Sequence, residues 1–193
     1  LTFYEVVKIT FSRKGVAVPI YEFAGKKPLI SPTAFVHPQA VVIGDATIGD
    51  GCLIAPCAVI RADFGPIHIG DGTSIQDNAT IHVTPGDRAL IGRHVIVAHH
   101  AVLHDVTLHE QCVVGMGAVL LQKVVCEAGV IVAAGSVVPQ GMHIPAGKLA
   151  AGNPARVVKD VSPEMAAYVA MGVEAYKELS RLYRQTMKEI ARD

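Results

Sequence analysis

The 193-residue chain has no tryptophan, and aromatic residues make up only 5% of it. A core without large rings must be built from small aliphatic side chains, which favours a narrow, regular interior. Charge of one sign is not in excess. Seventeen basic residues balance 17 acidic ones, which argues against a nucleic-acid or membrane-surface footprint. No apolar run approaches the ~18 residues of a membrane span. The first segment, LTFYEVVKITFSRKGVAV, is interrupted by Glu5, Lys8, Arg13 and Lys14 and lacks the charge, apolar run and cleavage-site order of a signal peptide. The protein is therefore read as cytoplasmic. The four cysteines, Cys52, Cys57, Cys112 and Cys126, form no CxxC pair, so they are read as free thiols in a reducing compartment rather than as a disulfide framework.

What the chain does have is a period. Counting by six from Val36 gives Val42, Ile48, Ile54 and Ile60. After interruptions come Ile69, Ile75 and Ile81, then Ile91, Val97 and Leu103. A five-residue step leads to Leu108, Val114, Leu120, Cys126, Val132 and Val138. Of these 17 positions, 16 are Val, Ile or Leu. Four residues on, the side chain is usually small: Ala40, Ala46, Cys52, Ala58, Thr73, Ala79, Ala101, Thr107, Cys112, Ala118 and Ser136. A six-residue repeat rich in β-branched residues matches neither helical period. It fits a parallel β-helix of hexapeptide repeats, with three short strands and three corners closing each coil. The aliphatic residue fills the axis and the small residue lets the chain bend.

At this length the chain is one domain, able to bury a core without disulfides. Residues 1–17 are read as an N-terminal extension expected to depart from the fold, residues 18–161 as the β-helix, and residues 162–193 as a helical appendage. Pro139, Pro145, Gly147 and AGNPARVV (151–158) are read as an exit linker. Ser162 is a helix N-cap followed by Pro163 at the first helical position. Met165, Val169, Tyr176, Leu179, Tyr183 and Ile190 then recur at helical spacing. One long helix over 163–190 is expected, with Gly172 as its weak point.

The segment VAHHAVLHDV (97–106) places three of the chain's nine histidines within six positions. Within the repeat, Ile60, Ile81 and Leu103 are equivalent, so Arg61, His82 and His104 stack in one outward column. Neighbouring coils lie ~4.8 Å apart, close enough for two imidazoles to share a zinc ion. His99 follows a different set of equivalent residues, Ile54, Ile75 and Val97. It reaches the pair only from a neighbouring chain, as a closed threefold arrangement would allow. Three histidines with an open fourth position is the catalytic zinc pattern. Histidines exposed on a solenoid face without a metal account for the spacing equally well. His37, His68, His94, His109 and His143 are read as surface residues.

VIRADFG (59–65), SIQDNATIH (74–82), AHHAVLH (98–104), VGMGAVLL (114–121) and GNPARVV (152–158) together resemble the γ-class carbonic anhydrases and their bacterial relatives, from about residue 19 to 185. The resemblance implies a left-handed winding and a homotrimer with metal at its subunit interfaces. It assigns His82 and His104 from one chain and His99 from the next as ligands to Zn2+, with Co2+ or Fe2+ as other occupants. It also implies that metal-bound hydroxide attacks CO2 to give bicarbonate. By the same resemblance Arg61 and Asp63 form an intersubunit salt bridge, Gln76 orients the bound water, Asp77 is a neighbouring acid, and Tyr168 reaches the site from the helix. Phe64 departs from the pattern, standing where an acid is expected. The loop VTPGDRAL (83–90) offers only Asp87, and Ala170 replaces an Asn. These departures weaken the expectation of fast CO2 hydration. They keep open an acyl-CoA thioesterase, a hexapeptide acyltransferase with one catalytic histidine, or a weakly catalytic trimeric scaffold.

Overall fold

A computed structural model describes residues 19–190; the expectation for residues 1–17 lies outside them. The chain winds into a parallel β-solenoid of about seven turns with one C-terminal helix. Its first face stacks β1 (Ile20–Tyr21), the front halves of β4 (Val41–Ile48) and β6 (Val59–Ile69), β8 (Thr80–His82), β11 (Val102–His104), β14 (Val119–Leu120) and β17 (Val137–Val138). The second stacks β2 (Leu29–Ile30), the rear halves of β4 and β6, β9 (Ala89–Ile91), β12 (Thr107–Leu108), β15 (Val125–Cys126) and β18 (His143–Ile144). The third stacks β3 (Phe35–Val36), β5 (Leu53–Ile54), β7 (Ser74–Ile75), β10 (Ile96–Val97), β13 (Val113–Val114), β16 (Ile131–Val132) and β19 (Lys148–Gly152). β20 (Ala155–Asp160) folds back antiparallel on β19. The stretch expected to be a linker is therefore a hairpin that ends the third face. Its backbone groups are satisfied by pairing rather than by solvent.

The hexapeptide period becomes the core directly. Every one of the repeat's axial residues is buried except Val36, which packs against the core from the first coils. Each fully buried aliphatic side chain contributes roughly 1.5–3 kcal/mol relative to exposure. The small corner residues are buried too, with one correction. Thr107 is only half-buried on β12, and Val106 takes the inward corner place. The five-residue step from Leu103 to Leu108 removes one residue from that corner, so the assignment shifts by one. Burial pushes the Cys52 thiol up to about 12, Cys112 to about 11 and Cys126 higher still. These three behave as inert core groups, and all four cysteines are free.

The helix α1 (Pro163–Thr186) begins as expected, with Met165 N–H donating to Ser162 Oγ at 3.3 Å. It ends four residues early, so Ile190 lies beyond it and is 84% exposed. α1 lies on β3, β5 and β7 of the third face. Val173 and Ser180 are its buried residues, and Ser180 Oγ donates to Cys52 O at 2.9 Å. Gly172 is an approach point, because a Cβ there would sit 3.3 Å from Ile96 Cδ1. Among the described residues no helix is long and apolar enough to cross a membrane.

Candidate metal centre

Strand register assembles the first half of the site. Cα pairing aligns Ile43, Arg61, His82 and His104 across β4, β6, β8 and β11. Each follows an inward aliphatic residue, so alternation turns each outward. The corner they face is irregular in every one of the coils concerned. β6 runs through it as an 11-residue strand, residues 83–88 form a loop, and the coil after His104 is one residue short. Phe64 is 51% exposed and its ring lies 5.6 Å from that of His82.

At this corner the side chains interlock. Arg61 Nη1 donates to Asp63 Oδ2 at 2.7 Å, and Asp63 Oδ1 lies 3.0 Å from His82 Nε2. The Arg61–Asp63 pair thus closes within one chain, because two alternate residues of β6 share its outward side. His82 Nδ1 lies 3.1 Å from both Arg61 Nη2 and His104 Nε2. His104 Nδ1 lies 3.1 Å from Asp105 Oδ2, without the alignment of a hydrogen bond. Burial raises the Asp63 pKa, but the hydrogen bonds from Arg61 and His82 outweigh it and leave the carboxyl below its ordinary range. Asp105 follows the same balance. Burial raises it, and bonds from the Thr84 hydroxyl and backbone N–H, with His104 beside it, bring it down.

The second half lies on the corner between the third and first faces. Gln76 directly follows β7 and is buried, and Asp77 Oδ2 lies 2.8 Å from His99 Nδ1 one coil above. His37 is half-buried on the same corner rather than a free surface residue. Burial lowers its pKa against the opposing pull of Asp77. Among the described residues no three His, Cys, Asp or Glu side chains converge as a metal group within one chain.

The donor set nevertheless suits zinc. Two tetrahedral zinc ligands with ~2.0–2.1 Å bonds stand ~3.3 Å apart, and His82 Nδ1 and His104 Nε2 are 3.1 Å apart. All three histidines have a carboxylate oxygen within 3.1 Å of their other nitrogen, the usual support for a metal-ligating imidazole.

The likeness to known proteins agrees with this pattern. Residues 27–62 match the family model for bacterial transferase hexapeptide (six repeats). Gamma carbonic anhydrase 2, mitochondrial, of Arabidopsis thaliana is 40% identical over 164 residues, 82% of this chain and 59% of the relative. The chain thus spans about three fifths of that plant protein. Carnitine operon protein CaiE of Escherichia coli O157:H7 is 36% identical, with 82% of this chain and 81% of CaiE covered. The chain belongs to the γ-carbonic-anhydrase-like family of hexapeptide-repeat proteins. A hexapeptide transferase family protein from Anaplasma phagocytophilum superposes on this γ-carbonic-anhydrase-like chain with a TM-score of 0.83 at 36% identity, covering 86% of this chain and 98% of that one. A putative acetyltransferase of Bacillus cereus gives 0.85 at 31% identity, with 87% and 98% covered.

Not every expected residue joins the family-type cluster. Tyr168 is 78% exposed on α1, and among the described residues no hydrogen bond ties it to the site. Sequence reasoning overlooked Asp105 and Thr84. The signals were there: an Asp directly after His104, and a shortened repeat that bends the chain at that point.

Proposed function

We propose that the protein is a zinc-dependent, γ-carbonic-anhydrase-like enzyme acting on CO2, with its sites shared between chains of a homotrimer. The observation that carries this reading is the His82–His104 column, two facing ring nitrogens with carboxylates behind them. His82 and His104 would hold the metal from one chain and His99 from the next. Bound zinc would supply Lewis acidity and so a nucleophile from water at neutral pH. Asp63 keeps His82 in the tautomer whose Nδ1 is bare, and Arg61 fixes Asp63. Asp77 does the corresponding work for His99, and Gln76, beside it, would orient the reacting water.

The need for a second chain follows from the split of the site over two corners. Between those corners lies the first face, which the helix leaves uncovered. Its outward strand positions are Val41, Val59, Val102, Val119 and Val137, interrupted by Thr80, with Val102 40% exposed. A ladder of valines beside a half-built site suits packing against a second copy, and a heterologous contact that closes gives a ring.

Metal content of the purified protein tests the reading. About one zinc or iron per chain, lost in both His82→Ala and His99→Ala, is the expected result. No metal after metal-replete expression would overturn it. The exposed Phe64 beside His82 favours a second reading, hydrolysis of an apolar acyl thioester at the same site. Parallel assays of CO2 hydration and acyl-CoA hydrolysis separate the two.

A further inference from the structure

Asp105 is the only carboxylate among the buried polar residues described. Its backbone is in the left-handed region, at φ 53°, as at the corner residues Asn78, His100 and Lys123. A buried charge is costly unless it is paired and hydrogen-bonded. Its contacts show where the gain lies. Oδ1 accepts from Thr84 N–H at 2.6 Å and Oδ2 from the Thr84 hydroxyl at 2.5 Å. Thr84 is two residues beyond His82, so the carboxylate pins the chain that carries the first ligand. Oδ2 also lies 3.1 Å from His104 Nδ1, a buried nitrogen with no aligned partner. A buried ring N–H left unpaired is costly, and Asp105 is an acceptor already within reach.

We infer that Asp105 is a positioning residue for His104, holding its proton on Nδ1 so that Nε2 faces His82 Nδ1 as a bare donor. This rests on the metal reading above and extends it to a residue outside the ligand set. One carboxylate then sets both members of the ligand pair, one through its tautomer and the other through the Thr84 anchor. The shortened repeat has a reason on this account. Removing one corner residue brings residue 105 inward against the rings.

Asp105→Asn separates positioning from folding. Asparagine tolerates the left-handed backbone and keeps an oxygen for Thr84 N–H. It also turns an amide N–H2 toward His104 Nδ1, which favours the opposite tautomer. The first readout is the imidazole nitrogen spectrum of the metal-free full-length protein at about pH 8.5, where imidazoles are neutral, with His104 assigned through His104→Gln. The wild type should show His104 protonated on Nδ1, and Asp105→Asn should move the proton to Nε2. Asp105→Gly, which relieves the backbone and removes the carboxylate, should give a mixture. The second readout is zinc affinity, expected to fall roughly 10- to 100-fold in Asp105→Asn. An unchanged His104 tautomer in both variants would overturn the proposal. A wild type that takes up no zinc would instead overturn the metal reading, and the tautomer result would then decide the role of Asp105 by itself.

Discussion

At the scale of single residues, the corner near His104 is held by one buried carboxylate, and its acid sensitivity follows. The folded-state pKa of Asp105 is depressed, with the Thr84 bonds and the nearby His104 outweighing the opposing burial. The unfolded carboxyl titrates near ~3.9. A depressed folded value stabilises the protein above the unfolded pKa, and that stabilisation is lost as pH falls through the folded one. The contribution is therefore complete at neutral pH and disappears in the strongly acid range. Urea unfolding of the metal-free protein at pH 7, 5 and 3 should show a flat stretch and then a fall. In Asp105→Asn the neutral-pH stability should be lower, and this part of the acid fall should be missing. Equal acid slopes in the two proteins would show that the Thr84 contacts do not depend on charge.

At the scale of elements, the solenoid is held together by coils that approach closely along their corners. Gly70 and Gly92 follow axial isoleucines at the start of one such corner. A Cβ on Gly92 would lie 2.7–2.9 Å from backbone atoms of His109 and Glu110 in the coil above. Backbone cannot swing aside as a side-chain tip can, so the coils would have to part. Gly92→Ala should cost about 1–3 kcal/mol, measured as a lowered denaturation midpoint with unchanged slope. An alanine that leaves the midpoint in place would mean that the coils slide apart freely. The same regularity explains what was legible in the sequence. The axial residues and the Arg61–His82–His104 column both follow from a period of six, because stacking converts sequence spacing into spatial neighbours. The exceptions are the places where the period breaks. Thr107 was misplaced because one residue is missing. Asp105 went unread because its inward turn is a property of that missing residue and not of the repeat. The 151–158 segment pairs as a hairpin with no periodic signal, and the helix stops at Thr186 although apolar spacing continues to Ile190.

At the scale of the whole molecule, the separation of His99 from His82 and His104 gives the proposed assembly a direct test. Each site would draw its ligand pair from one chain and its third histidine from the neighbour. His99→Ala and His104→Ala chains should then each be metal-poor and inactive as pure trimers. When they are unfolded together and refolded as mixed trimers, a site is intact where a His99→Ala chain supplies the pair and a His104→Ala chain supplies the third ligand. Random mixing makes that about one site in four, since each of the two independent choices is met about half the time. Zinc content and CO2 hydration should both return to about a quarter of the wild-type level. A mixture of His82→Ala and His104→Ala chains should recover nothing, because those two ligands come from the same chain and no pairing restores both. Equal recovery in the two mixtures would mean that the pair is not contributed by one chain, and no recovery in either would mean that His99 does not complete a site across the interface. The contrast depends only on which corner carries which histidine, so it reads the geometry of the assembly independently of how fast the chemistry runs.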